Sequence, residues 1–402
     1  MSTEDLRFRP ATAEDLDRIL ELHFAAFTDE RSATERRRNF TAHPLGNLTD
    51  FVLALRGEDI VAQAFLFPLE AWFGGRAVRV GAIASLATAP EVRGQGIATA
   101  LLQHLHVTAD VRGDALTMLY AFRQRFYARL GYGSSSSRKR LAIEPSAIPA
   151  SWRALARERV RRARGEDKDL MKRAYVRASS RASGWLTRTD GFWDRHLSRE
   201  RRQFLVADSG YVAFQLRQVE AHAATTLTVD ELVADDDVTR RALLGSLGAM
   251  RDQVAEIELE VDANDPLELA LVDSDGRRFG TDAVEHDLGT IVGGPMLRIE
   301  DVSRAIEARG YFADGALDVV VQGAGEELAV SVGVRDGRAE VAAALGAAAA
   351  LRTTRAVLAS VLYGGLRPSD AARLGLLDAD ARTLARADAI FALPPLAPVD
   401  PF

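Results

Sequence analysis

Twelve residues, Pro90-Glu91-Val92-Arg93-Gly94-Gln95-Gly96-Ile97-Ala98-Thr99-Ala100-Leu101, carry the most direct chemistry in the chain. Gly94, Gly96 and Ala98 are small enough for the backbone to come close to an anion. Successive N–H groups can then point at it with the positive end of a helix behind them. A pyrophosphate suits such a turn, and the chemistry it implies is the binding of a nucleotide-tailed cofactor. A Walker loop would need Gly-Lys-Ser/Thr, and a dinucleotide fingerprint would belong to an initial strand–helix–strand unit. The competing reading is an ordinary glycine-bearing connection between a strand and a helix.

The elements that must position this turn follow from the patterning. Leu6 to Pro10 alternates as a short strand, and Thr12-Ala13-Glu14-Asp15 has the order of an N-cap and an acidic first turn. Leu16, Ile19, Leu20 and Phe24 continue it at helical spacing to about Phe27. Phe51 to Leu55 and Ile60 to Phe67 read as strands about the Arg56-Gly57-Glu58-Asp59 turn, and Ala77 to Ala87 as a strand ended by Pro90. A helix from Ile97 to about Ala109, a strand from Ala115 to Tyr120 and a short helix around Arg125 to Leu130, stopped by Gly131, complete a mixed α/β unit.

Past Pro145 and Pro149 the pattern changes. Trp152 to Arg164 is a basic helical segment whose arginines are interleaved with or followed by Glu158, Glu166, Asp167 and Asp169, so it reads as a solvated helix and not a nucleic-acid site. A hairpin over Gln203 to Ala207 and Tyr211 to Leu216, a strand over Thr225 to Val233, a helix over Thr239 to Ala249 and a strand over Glu256 to Glu260 repeat the earlier order without its glycine-bearing turn. A third region follows: a strand at Met296 to Glu300, a helix at Asp301 to Ala308, strands at Leu317 to Val321 and Leu328 to Val334, and an alanine-rich stretch over Ala342 to Ala350. The end, from Phe391 through Pro394-Pro395 to Phe402, is apolar and stiff and is expected to lie in a groove. These shifts divide the chain of 402 residues at 1–145, 146–292 and 293–402.

Composition narrows the chemistry. Cys is absent, which removes disulfides, thiolate nucleophiles and Cys-ligated zinc. The seven His have no metal-like spacing, and His104 and His106 are read as structural or surface residues. A net charge of -6 argues against nucleic acid and is compatible with cationic small molecules. No apolar run is long enough for a bilayer, and the acidic start Met1-Ser2-Thr3-Glu4-Asp5 lacks a secretory pattern, so the expectation is a cytoplasmic protein without stable membrane insertion.

On these residues the chain resembles the GNAT superfamily of acyl-CoA-dependent N-acyltransferases. The motif is Arg or Gln, two variable residues, Gly, one variable residue, then Gly or Ala, met here by Arg93, Gly96 and Ala98. Over nearly its whole length the domain order resembles the enhanced-intracellular-survival family, which joins two GNAT-like domains to a sterol-carrier-like domain and acetylates amines, including aminoglycosides. Its marks are Phe27-Thr28-Asp29, the turn itself, Phe126-Tyr127-Ala128-Arg129-Leu130-Gly131-Tyr132-Gly133 and the terminal Phe402.

The resemblance implies a fold of tandem GNAT-like domains, the second lacking the cofactor turn, followed by a sterol-carrier-like α/β domain. It implies acetyl-CoA as acyl donor with no metal, held by Arg93, Gly94, Gln95, Gly96, Ile97 and Ala98, with Leu86, Ala87 and Thr88 along the pantetheine and acetyl group. Tyr127 takes the role of general acid and the terminal carboxylate of Phe402 that of general base, with direct transfer to an amine. Tyr132 is read as a packing residue. Asp29 and Asp400 could bind the substrate ammonium, with Glu21 or Glu70 widening the negative field. A homo-oligomer, a hexamer, goes with the family. The sequence departs from it at Gly94-Gln95, where the family turn can be richer in Arg, and at Pro401, where an acidic residue would stand. The reading from a different class is a protein that carries a lipid or other apolar ligand, or acts as a scaffold, with a residual CoA site.

Overall fold

The first turn of the chain folds as its side chains dictate, and the same device occurs twice. A computed structural model describes residues 5–28, 31–135, 137–218, 224–271, 289–323, 327–344 and 350–394. Strand Leu6–Pro10 leads through a short 3-10 turn into helix Leu16–Ala26. Arg9 donates two hydrogen bonds to the Asp15 carboxylate, at 2.7 and 2.8 Å, and the Thr12 N–H donates to the same carboxylate at 2.7 Å. Six residues separate Arg161 from Asp167 in the same way. Arg161 donates to Asp167 at 2.7 and 2.6 Å and the Arg164 N–H at 2.7 Å, at the entry to helix Lys168–Ser179. Each carboxylate fixes the angle between the strand or strand-like segment and the helix that follows.

These two devices predict an acid response. The Arg9 guanidinium holds the Asp15 carboxyl down to about 2, and Arg161 does the same for Asp167. A depressed carboxylate favours the folded state above the ordinary pKa near 3.8 and loses that contribution as pH falls through about 2. Urea midpoints of an Asp15→Asn, Asp167→Asn double variant are therefore expected to lie below wild type at neutral pH. They should converge on it only below about pH 2. A gap that stays constant with pH would show that the ion pairs do not cause it.

Three sheets organise the rest. The first has seven strands in the order Leu6–Pro10, Phe51–Arg56, Asp59–Phe73, Arg76–Thr88, Leu116–Leu119, Met296–Ile299, Gly133–Ser134. The second, also of seven, runs Gly289–Val292, Arg138–Ile143, Glu256–Asp262, Thr226–Ala234, Gly210–Arg217, Gln203–Ala207, Arg161–Arg162. The third has five: Arg338–Ala343, Glu327–Arg335, Gly315–Gln322, Leu351–Thr354, Leu377–Asp378. In the first sheet helix Ile97–Arg112 crosses between the parallel strands Arg76–Thr88 and Leu116–Leu119. In the second, helix Asp237–Gly248 does so between Thr226–Ala234 and Glu256–Asp262. The two units thus share one topology. In the second, Asp235-Asp236 stands where the first has its glycine turn, and the Asp236 side chain caps the helix through the Thr239 N–H at 2.8 Å.

The expected boundaries at 145/146 and 292/293 are crossed by an exchange of strands. Arg138–Ile143, read as the close of the first unit, pairs with Glu256–Asp262 and Gly289–Val292 in the second sheet. Met296–Ile299, read as the opening of the third, pairs with Leu116–Leu119 and Gly133–Ser134 in the first. Each sheet satisfies a row of backbone groups with a strand carried over from elsewhere in the chain. Period-two alternation identifies such strands, but it says nothing of which edge receives them. The basic helix also ends sooner than its charge pattern implied, at Arg159, because Arg161 and Arg162 turn to pair with Leu205 and Val206.

The third unit is bolted to the first. The tip of the Asp59–Phe73/Arg76–Thr88 hairpin docks on Gly310, whose N–H donates to the Phe73 carbonyl at 3.1 Å. A Cβ on Gly310 would lie 2.0 Å from the Gly74 oxygen, so glycine is required there by contact alone. Arg309 beside it is fully buried and makes no ion pair among the described residues. It donates to the carbonyls of Leu362 at 2.7 Å, Phe391 at 3.3 Å and Ala392 at 2.8 Å, and it lies 4.6 Å from the Tyr311 ring. This clasps the segment that leads into the C-terminal tail. Arg309→Met, which strands those carbonyls, is expected to cost about 3 kcal/mol in urea unfolding. A loss below about 0.5 kcal/mol would mean that water satisfies them instead.

Candidate active site

Strand Arg76–Thr88 passes into the turn through Pro90–Val92, where the Val92 N–H reaches the Ala89 carbonyl at 3.1 Å. Gly94 and Gly96 then take φ of 80° and 81°, left-handed values that a side chain resists, and Gly96 caps helix Ile97–Arg112. Ile97 is buried against Leu101 and Leu105, which fixes the helix start. The first bond along the helix runs from the Ala100 N–H to the Gly96 carbonyl at 3.0 Å. The N–H groups of Ile97, Ala98 and Thr99 therefore have no backbone acceptor among the described residues. A Cβ on Gly94 would meet nothing within 4 Å, so the space in front of the turn is open. The side chains are turned away from it. Arg93 donates to the Thr88 carbonyl at 3.4 Å and the Ala25 carbonyl at 3.3 Å, and Gln95 accepts from Arg56 at 3.0 Å. An anion here meets main-chain donors and a helix dipole, and the site fits a pyrophosphate in charge and access.

Behind the turn the sheet opens. Strands Arg76–Thr88 and Leu116–Leu119 pair in parallel only at Val80, Gly81 and Ala82. Beyond Ala82 the first strand pairs on one side only, and its register with Asp59–Phe73 shifts between Gln63 and Phe65, opposite Ala84 and Ala87. Ser85 sits in this irregularity with φ of 52°, a strained value for serine. Ala87 and Thr88 remain paired with Gln63 and Ala62, and Leu86 turns into the opening. A wedge is left between Ile83 to Thr88 and the chain after Leu119, with backbone groups along one wall.

This wedge opens into a cavity of about 1520 Å³ walled by the first and second sheets and the helices around them. Tyr127, on helix Gln124–Ala128, lines it. Its ring is buried edge-on to Phe126 at 4.9 Å, Tyr132 at 5.9 Å and Phe122 at 6.1 Å. Its hydroxyl makes no hydrogen bond among the described residues, and burial pushes its pKa up to about 12. It is a neutral phenol with an unspent proton at the edge of the wedge. Tyr132 differs. Its hydroxyl lies 2.9 Å from His106 Nε2 and 3.1 Å from Thr117 Oγ1, and Thr117 donates to Glu300 at 2.7 Å. Glu300 pairs with Arg298, so a buried polar chain ties the long helix to the exchanged strand. His106 belongs to that chain, and burial lowers its pKa to about 3. His104 stacks on Phe8 at 4.6 Å. Both are structural.

Of the other expected groups, Asp29, Asp400 and Phe402 lie outside the described residues. Glu21 is ion-paired with Arg18 at 2.9 Å, and neither it nor Glu70 lines the cavity. The far wall was not foreseen. Helix Asp190–Leu197, capped by Thr189 through the Phe192 N–H at 3.2 Å, brings Arg195 and His196 to the cavity, and Lys168–Ser179 brings Tyr175. Thr189-Asp190 ahead of Phe192-Trp193 is a start signal present in the sequence. Arg188 is deeply buried, ion-paired with Glu231 and 3.9 Å from the Tyr175 ring. His43 stacks on Phe67 at 4.5 Å and, like His23, is held neutral by burial and nearby arginines, both near pKa 4. Among the described residues no His, Asp or Glu group is arranged to hold a metal ion, and no helix is long and apolar enough to cross a membrane.

Comparison with known proteins follows this geometry. Residues 7–135 and 184–299 each match a model of an acetyltransferase (GNAT) domain, and 302–399 match a sterol carrier protein domain. The N-acetyltransferase Eis of Mycobacterium tuberculosis is 28% identical over 407 aligned positions, covering 95% of each chain. Among solved structures, a GCN5-related N-acetyltransferase from Kribbella flavida superposes with a TM-score of 0.83 at 25% identity, covering 99% of this chain and 98% of that one. Eis1 from Mycobacterium abscessus shares the fold, with a TM-score of 0.78 at 24% identity over 98% of this chain and 99% of that one.

Proposed function

The chain belongs to the GNAT superfamily of acetyltransferases, with two GNAT domains and a sterol carrier protein domain and with homology to Eis, and on that premise we propose that it moves the acetyl group of acetyl-CoA directly to an amine. The observation that carries this is the run of N–H groups from Ile97 to Thr99, beside a wedge edged by the Tyr127 hydroxyl, none of them with a hydrogen-bond partner outside the helix among the described residues.

The turn Arg93 to Ala98 takes the pyrophosphate through its main chain, with Arg93 and Gln95 bracing the loop. Leu86, Ala87 and Thr88 lie along the pantetheine and thioester, where backbone N–H groups meet the oxyanion as it forms. The amine nitrogen attacks the thioester carbonyl carbon, the C–S bond breaks, and the Tyr127 phenol gives its proton to the departing thiolate. The phenol suits this donor role because burial keeps it protonated at any working pH. The carboxylate of Phe402 takes the ammonium proton, and Asp29 and Asp400 orient the acceptor. Direct attack needs no covalent enzyme intermediate.

A hexamer goes with the family resemblance, and sedimentation velocity reads it. The competing reading, a carrier of apolar ligands, gains nothing from the large cavity. Among the described residues its lining runs from His23 to Asp265 and includes none of the sterol carrier domain. The test is thiol release from acetyl-CoA with a panel of amines, aminoglycosides among them. Release that depends on the amine is expected. CoA that fails to bind and no release with any acceptor would return the weight to the carrier.

A further inference from the structure

The cavity wall contains arginines that are neutralised and arginines that are not, and they are sorted by place. Arg188 is paired with Glu231, Arg202 with Asp230 at 2.8 Å, Arg240 with Asp265 at 2.8 Å, and Arg138 with Glu260 at 2.7 Å. Arg195 and Arg199, at the end of helix Asp190–Leu197 and just past it, make no ion pair among the described residues. Arg195 is nevertheless held in place, because it donates at 2.8 Å to Asn39 Oδ1 on helix Ala33–Thr41. Both feel further guanidinium groups. Burial opposes the charged form most, and neighbouring guanidiniums add to it: Arg31 acts on each of them, Arg202 on Arg199, and Arg195 on Arg36. Among the described residues the carboxylate that acts on Arg199 is Asp230, already engaged by Arg202 and by Gln215 at 2.7 Å. Glu258 also lines the cavity, accepts from Thr228 at 3.2 Å and makes no ion pair among the described residues.

Like charges are gathered here in the partly desolvated far wall of the cavity that Tyr127 also lines. Such an arrangement is costly in the empty protein and is relieved by a bound anion. The turn that suits the cofactor's pyrophosphate contributes no residue to this cavity.

We propose that Arg195 and Arg199 form an anion subsite for the acceptor, so that the substrate class is an amine that also carries a carboxylate or a phosphate. This rests on the acetyltransferase reading above and narrows it. A guanidinium pair grips the planar or tetrahedral oxygens of such a group with charge-assisted hydrogen bonds, which leaves the amine end of the molecule free to reach the wedge. A polycation without an anionic group gains nothing from the subsite and is repelled by it.

The experiment uses the full chain, acetyl-CoA and matched acceptors: lysine against lysine amide, glucosamine 6-phosphate against glucosamine, and kanamycin as polycation. In each pair the anionic member is expected to have the higher kcat/KM, by about tenfold or more. The Arg195→Gln, Arg199→Gln double variant is expected to raise KM for that member by at least about tenfold, with CoA affinity by calorimetry and turnover of the neutral member unchanged. Equal or better use of the neutral or polycationic acceptors, or an unchanged KM in the double variant, overturns the anion subsite while acetyl transfer stands. A tenfold loss of CoA affinity in the variant assigns the guanidiniums to the cofactor's phosphates and also overturns it. Failure of wild type to bind CoA removes the acetyltransferase reading and this inference with it.

Discussion

Tyr127→Phe is expected to lower kcat by about 100- to 1,000-fold while leaving the affinity for acetyl-CoA and the melting temperature as they are. The substitution removes one oxygen and keeps the ring, whose edge-on contacts with Phe126, Tyr132 and Phe122 are what the fold uses. The hydroxyl has no protein partner to leave stranded among the described residues. Its loss is felt only when the thiolate departs, so the cost falls on kcat and not on KM. The pH profile separates the same roles. Because the phenol titrates only near pH 12, the wild-type rate should rise with deprotonation of the amine and show no loss from Tyr127 below about pH 11. Stopped assays from pH 6 to 11 check both statements, and a variant with unchanged kcat would remove Tyr127 from the chemistry.

Gly96→Val is expected to raise the dissociation constant for CoA by about 100-fold. At φ of 81° a β-branched residue is forced out of the left-handed conformation, and the start of helix Ile97–Arg112 must turn with it. Misdirecting two or three N–H donors is worth about 3 kcal/mol in binding. Ile97 buried below the turn should hold the fold. Calorimetry with CoA, alongside a thermal melt, separates lost binding from lost folding. Gly375→Val serves as the control, since that residue also has a positive φ, at 69°, but lies just after helix Pro368–Arg373 in the third unit.

Much of this site is legible in the residues themselves. The turn is local chemistry, because Gly94 and Gly96 mark where φ must turn positive and Ile97, Leu101 and Leu105 mark the buried helix face. The strands on either side are long apolar runs that only a central sheet can hold. What the sequence could not convey is nonlocal. The irregularity at Ser85 that opens the wedge depends on a register with Gln63 and Phe65, twenty residues earlier. The exchange of Arg138–Ile143 and Met296–Ile299 depends on which sheet edge is left unpaired. The arginine-rich wall was hidden for another reason. A stretch dense in Arg and Asp reads as solvated surface until the ion pairs are seen to consume some charges and spare others. The repeated Arg-Asp device at Arg9/Asp15 and Arg161/Asp167 is in plain view at identical spacing, and it marks the entry to a helix in each of the first two units.

The central claim is that the backbone from Gly94 to Thr99 donates its hydrogens to the cofactor's diphosphate. Hydrogen–deuterium exchange of the full chain, with and without saturating CoA, measures those hydrogens themselves. The account predicts slowed exchange in peptides spanning 94–99, accompanied by protection over 83–88 along the wedge. Saturated binding with exchange at 94–99 unchanged would contradict it.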